Sequence, residues 1–288
     1  MPLKNAFRLA LVLYAAIFSG CSTKETVYTP TEADQKFTKI LTEEFHYTPA
    51  LKQIGKTLWV YLPFEHDILA FKAGDQQPAQ SERKFSLVYL DGKFEDGHFV
   101  IEFDIIPFIK SSKNKGVATS YTEAFNKEYQ NLISAVSRVY LNAQKPPDFI
   151  VAIFADIKNG IEVINTFNLD DFRKYQSLVL PYEEYLLRVL NDSKGNKNII
   201  NDNKGNHIVY SDIAWPDFII KQIVNRINFK YQQSDFQPTE DTVRELSQIA
   251  RQTVEAYDFK DFSTVEFRNI RNKTTTTVGR LQLLDSPK

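Results

Sequence analysis

Apolar positions change their spacing along the chain, and each change marks an element. Between residues 33 and 47, Phe37, Ile40, Leu41 and Phe45 recur at intervals of three and four, which predicts an amphipathic helix. Residues 58–64 (LWVYLPF) read as a strand and 72–83 as a polar connection. Residues 84–90 and 98–108 predict two strands joined through 91–97, and in the second Val100, Glu102 and Asp104 alternate with Ile101, Phe103 and Ile105. A polar loop at 111–116 follows. Ser120 and Glu123 have capping-box spacing ahead of a helical stripe of Phe125, Tyr129, Leu132, Val136 and Tyr140, which Pro146 and Pro147 end.

The clearest unit comes next. Residues 149–157 (FIVAIFADI) are almost continuously apolar, as in a strand buried on both faces. Lys158, Asn159 and Gly160 turn the chain into a partner strand at 161–167. Asn168, with Asp170 and Asp171 behind it, suits the start of a short helix. A helix at 181–190, two similar Asn/Asp/Gly turns at 191–196 and 201–206, and long helices at about 215–231 and 239–258 complete the middle of the chain. Strands at 262–270 and 275–283 close it as a hairpin, with the threonines of 274–277 on a candidate edge strand able to accept a partner's strand.

This order implies an α+β fold: a mostly antiparallel sheet built from β-hairpins, with long amphipathic helices packed on it. Residues 148–160 and 261–273 share five of 13 positions: Asp148/Asp261, Phe149/Phe262, Phe154/Phe267, Ile157/Ile270 and Asn159/Asn272. A repeated helix–hairpin unit accounts for the match, with a third copy expected near 36–106. The expected organisation is a leader at 1–20, a polar tether at 21–32, an α+β domain at 33–190, and a helix–helix–hairpin region at 191–288 that is either separate or part of the same domain.

Composition adds exclusions. The 288 residues carry 43% hydrophobic and 25% charged side chains, ordinary for a packed globular chain. Net charge is -1, which gives no reason to expect a nucleic-acid partner. Four histidines (His46, His66, His98, His207) lack any local metal-ligand spacing, and the Asn/Asp turns carry Lys194 and Lys204 where a calcium loop needs acids. No metal or other cofactor is expected. Paired acids at 43–44, 170–171 and 183–184 point apart on a helix, and no nucleophile-elbow or phosphate-loop motif is present, so no catalytic residue is nominated. Trp59, Tyr61, Phe64 and Phe71 are candidates to line a groove for glycan, peptide or lipid, or simply to build a core.

The amino terminus carries the most specific signal. Lys4 and Arg8 precede an uncharged run at 9–18 (LALVLYAAIF), then Ser19, Gly20 and the only cysteine, Cys21. That run is a signal-peptide core, short of the about 20 apolar residues a membrane-spanning helix needs. Ile17-Phe18-Ser19-Gly20-Cys21 resembles the lipobox of a bacterial lipoprotein precursor, with Phe18 where leucine is usual. The resemblance covers the leader alone. It implies cleavage before Cys21, a diacylglycerol thioether on its sulfur, and usually an acyl chain such as palmitate on the new amine. Two or more acyl chains give stable anchoring. Ser22, rather than aspartate, follows the cysteine, which in a Gram-negative cell implies an outer-membrane lipoprotein facing the periplasm. Loss of Lys4 and Arg8 takes the basic count from 35 to 33 against 36 acidic residues. The expected function is an envelope lipoprotein presenting a domain for binding or assembly, with envelope proteins among its partners. The alternatives are a lipid-anchored hydrolase of envelope polymers and a periplasmic lipid or small-molecule carrier.

Overall fold

The computed structural model describes residues 27–72, 85–107, 118–233 and 241–285. Cys21 and its leader, the first half of the tether, all but Lys72 of the polar connection expected at 72–83, and the polar loop expected at 111–116 lie outside them. The fold is mixed α/β.

A first helix, α1 (Pro30–Lys39), starts three residues before the apolar stripe suggests. Thr29 and Glu32 form the capping box that begins it, each side chain accepting from the other's backbone N–H, and Pro30 suits the first turn. The helical path continues as a wider turn over Ile40–Glu44, where the Phe45 N–H donates to the Ile40 carbonyl at 3.2 Å. Strands β1 (Ala50–Ile54) and β2 (Thr57–Phe64) form a tight hairpin, followed by β3 (Leu69–Lys72). Then come β4 (Phe85–Glu95), β5 (His98–Pro107) and β6 (Ala118–Tyr121). β4 runs straight through the segment expected to be a loop, and only Asp96 and Gly97 turn the chain.

Helix α2 (Glu123–Val139) is capped by Thr122, whose hydroxyl accepts from the Phe125 N–H, and not by Ser120, which lies in β6. Strands β7 (Phe149–Asp156) and β8 (Ile161–Asn168) are the expected hairpin, and β7 is buried along its whole length. Asn168 caps α3 (Leu169–Gln176) through the N–H groups of Asp170 and Asp171. After α4 (Tyr182–Arg188), residues expected to turn form strand β9 (Leu190–Gly195), which is exposed and polar because it is an edge. Two long helices, α5 (Trp215–Gln232) and α6 (Thr242–Ala256), lead to β10 (Thr264–Asn269) and β11 (Thr274–Gly279). The last expected strand residues instead form helix α7 (Arg280–Asp285).

Pairing is mostly antiparallel, but each large sheet has a parallel centre that hairpins alone do not predict. The first sheet runs β1-β2-β7-β8-β9 with β2 parallel to β7; the second runs β11-β10-β5-β4 with β5 parallel to β10. β3 and β6 make a separate pair. The two sheets therefore interleave along the chain: hairpin, hairpin, then each one's partner hairpin in the same order. A division at residue 190 does not separate them, since β9 joins the first sheet while β10, with β11 on its far side, pairs with β5. The similar stretches occupy equivalent places. Asp156 Oδ1 accepts from the N–H groups of Lys158 and Asn159, as Asn269 Oδ1 does from those of Arg271 and Asn272. Each turn then ends on a left-handed residue, Gly160 (φ 71°) or Lys273 (φ 56°). β11 is an exposed edge strand across its four threonines.

Even-numbered positions of β2 (Leu58, Val60, Leu62, Phe64) pack with Ile150, Ala152 and Phe154 of β7 beneath α1, α2 and α3. Odd positions (Trp59, Tyr61) face the other way, onto Val151, Ile153 and the segment 199–213. The second sheet buries Phe99, Ile101, Phe103, Val265 and Phe267 under α5 and α6.

A buried charge network ties the two halves. Arg188 donates to Asp171 at 2.7 Å and to Glu184 at 2.8 Å, and Arg226 of α5 reaches the same Glu184 oxygen at 2.5 Å. Gln222 of α5 donates to the Arg188 carbonyl at 2.7 Å. Burial pushes the Glu184 carboxyl up, but the Arg226 and Arg188 hydrogen bonds outweigh it and hold the group below the usual glutamate range. A carboxyl depressed on folding stabilises above its unfolded pKa of about 4.3, and that contribution is lost as pH falls through the folded value. Melting curves from about pH 6 down to pH 3 are therefore expected to fall less steeply for Glu184→Gln than for the wild type. Parallel curves would remove Glu184 from the acid response.

Candidate functional site

Two cavities open on opposite faces of the first sheet. The first is a cleft of about 870 Å³ between the outer face of that sheet, β4 and α5. Trp59, Ile153 and Ile164 supply its sheet side, Leu90 and Val224 the opposite wall, and Lys194 a charge at the β9 edge. At its floor lies Glu162, whose side chain is 2% exposed. One carboxylate oxygen of Glu162 meets His207 Nε2 and accepts from Asn196 Nδ2 at 3.1 Å; Lys194 Nζ sits 3.6 Å from the other. His207 Nδ1 lies 2.8 Å from Asp202 Oδ2. Burial pushes Asp202 up, but hydrogen bonds from His207 and from the Lys204 and His207 N–H groups hold it below the usual aspartate range.

Local structure explains why a polar loop delivers this histidine so rigidly. Gly205 takes a left-handed conformation (φ 68°), and a Cβ there would lie 2.8 Å from Ile208 Cδ1 and 3.1 Å from the Tyr61 ring. The Tyr61 hydroxyl donates to the Asp202 carbonyl at 2.6 Å, and its ring meets His207 edge-on at 5.6 Å. Further along, Asp212 Oδ1 accepts from the Lys56 N–H and the Thr57 hydroxyl, pinning the loop to the β1–β2 turn. The arrangement resembles a catalytic carboxylate–imidazole pair but lacks its use. Both ring nitrogens already face carboxylates, so neither remains to take a proton from a nucleophile.

The other histidines are dispersed. His66 Nε2 contacts Glu128 at 2.5 Å, and its Nδ1 lies 3.4 Å from the Asp67 backbone carbonyl rather than from either neighbouring carboxylate. Burial pushes Glu128 up, against the pull of His66, and its second oxygen is buried without a partner among the described residues. His98 bonds Thr264 across the β5–β10 ladder at 2.8 Å, outside both cavities, and His46 is exposed. Among the described residues no group of three or more His, Cys, Asp or Glu side chains is placed to hold a metal ion. Of the turns weighed for calcium, 191–196 is mostly strand β9, and in 201–206 Asp202 is committed to His207.

The second cavity, about 840 Å³, lies on the helical face of the first sheet, between α2, the α3–α4 pair and β8. Aromatic rings dominate it. Tyr121 stacks on Phe125 with centroids 4.5 Å apart, and Tyr175 stacks on Tyr185 at 4.6 Å with planes 9° apart. Tyr129 and Tyr182 extend the two walls. Asn165, 3% exposed, forms part of the floor. Tyr185 is 4% exposed, and its buried hydroxyl has no hydrogen-bond partner among the described residues. Such a group costs free energy when left unpaired, about 1–3 kcal/mol. Burial pushes the Tyr129 hydroxyl up to about 12, and Tyr185 higher still, so both stay neutral donors at any physiological pH. Among the described residues Arg138 is the one charged lining residue, and Glu44 takes both its guanidinium nitrogens at 2.7 and 2.9 Å.

The aromatics singled out in sequence do not form a site together. Trp59 lines the cleft, Tyr61 is buried under His207, and Phe64 packs on the opposite face against Phe154. Phe71 lies in β3. The groove's rings come from β6, α2, α3 and α4, and the one local hint was the tyrosine-rich run Tyr175, Tyr182, Tyr185. In comparisons with protein-family models, curated proteins and solved structures, nothing matches this chain.

Proposed function

We propose that this chain is a cell-envelope lipoprotein, anchored through Cys21, whose domain binds a ligand in the aromatic groove without turning it over. The observation that carries the binding role is the groove itself: stacked tyrosine walls over the Asn165 side chain of the floor, with the Tyr185 hydroxyl buried and unpaired among the described residues. Ligand sites take that form, largely apolar and aromatic with a few placed polar groups. Hairpin-built sheets carrying amphipathic helices give it a rigid frame. A hydrolase needs a free base beside a nucleophile, whereas His207 is held from both sides by carboxylates. A lipid carrier needs an apolar cavity, and this one is edged with amides. The anchor rests on the lipobox-like sequence at 17–21 and on Cys21 being the only thiol.

Palmitate labelling with fractionation of wild type against Cys21→Ser tests the anchor. Label in the membrane fraction of the wild type, absent from the variant, is the expected result. An unlabelled, soluble wild-type protein would overturn the anchor.

A further inference from the structure

We propose that the groove's ligand is a neutral oligosaccharide, its sugar rings stacked on the tyrosine walls and its hydroxyls bonded to the amides of the floor and rim. The inference rests on the binding role given to the groove above and is independent of the anchor.

Charge narrows the class first. Among the described lining residues an anionic ligand would find one cation, Arg138, already held by both carboxylate oxygens of Glu44. A cationic ligand would find stacked rings but no aspartate or glutamate among the described lining residues. The ligand that fits is uncharged.

Hydrogen bonding narrows it again. Asn126, Gln130, Asn165, Gln176 and Asn191 bring five side-chain amides to one cavity, each both donor and acceptor, with the hydroxyls of Ser134 and Ser137 beside them. A fatty chain would bury those groups without partners, at a cost in affinity. A polyol satisfies them, because every sugar hydroxyl also donates and accepts.

Shape separates a glycan from a peptide. Extended peptides gain affinity by adding to a row of unpaired backbone groups at a sheet edge. The long walls here are helices α2, α3 and α4, whose backbone groups are paired within them, and the sheet contributes its face. What the walls offer is flat ring surface: Tyr121 on Phe125 along one side, and Tyr175 on Tyr185 along the other, with Tyr182 54% exposed at the mouth. Pyranose rings present flat C–H faces that pack on such surfaces.

The test uses the full chain purified in detergent, titrated by calorimetry with N-acetylglucosamine tetrasaccharide, maltotetraose and cellotetraose, beside laurate, a neutral tetrapeptide and phosphocholine. At least one tetrasaccharide is expected to bind saturably. Its affinity should fall about tenfold or more in Tyr182→Ala and in Ser134→Trp, which fills the groove from an exposed position, with unchanged melting temperatures. It should vary less than about twofold from pH 5 to pH 9, since the described lining holds no histidine, aspartate, glutamate or lysine. No saturable binding of any tetrasaccharide at about 10 mM by folded wild type overturns the glycan class. If laurate, the peptide or phosphocholine binds instead, the binding role survives with a different ligand. If none of the six binds, the binding role falls as well. Glycan binding that both variants leave intact would place the site elsewhere and overturn the assignment to this groove.

Discussion

Arg188→Met should destabilise the protein by about 3–5 kcal/mol, because it strands Asp171 as a buried charge. The side chains of Asp171 and Arg188 are 2% and 9% exposed, and their 2.7 Å contact is the inner end of a network reaching through Glu184 to Arg226. Beyond Arg188, Asp171 has the Tyr257 hydroxyl as a neutral neighbour, which cannot replace the guanidinium charge. The guanidinium also sits 5.1 Å from the centroid of the Tyr257 ring, so methionine removes a cation–π contact while keeping much of the volume. Replacing both charges, Asp171→Leu with Arg188→Met, should recover most of the loss, since an apolar pair of similar size avoids the desolvation penalty. Chemical denaturation of the three variants checks this. A single variant within about 1 kcal/mol of wild type would mean that water or rearrangement reaches Asp171.

Phe154→Ala should cost a similar about 3–5 kcal/mol, for a different reason. Phe154 is fully buried at the point where β7 meets α2, within 5.1 Å of Phe125, 5.9 Å of Tyr129 and 6.4 Å of Phe64, centroid to centroid. Removing the ring opens a void between the sheet and the groove wall, and close-packed neighbours relax only partly into it. Phe125 and Tyr129 are themselves groove residues. Loss of ligand affinity should therefore accompany the loss of stability, whereas Arg188→Met should leave affinity nearer the wild-type value. A melting temperature lowered by several degrees is the readout, at roughly 2–4 °C per kcal/mol for a chain of about this size. An unchanged melting temperature would show that the surrounding rings close the gap.

The parts of this molecule that follow local rules were legible in the sequence. The run through Phe154 reads as a doubly buried strand, Asn168 as a helix start, and 158–160 as a turn, because apolar content, capping chemistry and turn residues all act within a few positions. Elements governed by distant contacts were not. Asp91, Gly92 and Lys93 read as a loop, yet β4 passes through them because Val224 and Ile220 of α5 press on the strand. A Cβ on residue 92 would come within 2.6 and 2.8 Å of those side chains. β9 reads as a turn for the opposite reason: as an exposed edge it has no apolar alternation to show. The groove was invisible for a third reason. Phe125 and Tyr129 follow the helical period of a core stripe, and whether such a ring ends under another helix or beside a cavity depends on where α3 and α4 come to rest.

Interleaving of the hairpins sets a timetable for folding. β2 meets β7 near Lys56 and Asp148, 92 residues apart, and β5 meets β10 at His98 and Thr264, 166 residues apart. Pairings that span so much chain close slowly, since the loop must be ordered before the contact rewards it. Until residues 264–269 pair with it, β5 offers an open edge carrying Phe99, Ile101 and Phe103, the side chains that later fill the second core. A chain cut short before β10 should thus be insoluble rather than partly folded, and the intact chain should depend on a chaperone that shields that edge until β10 reaches it.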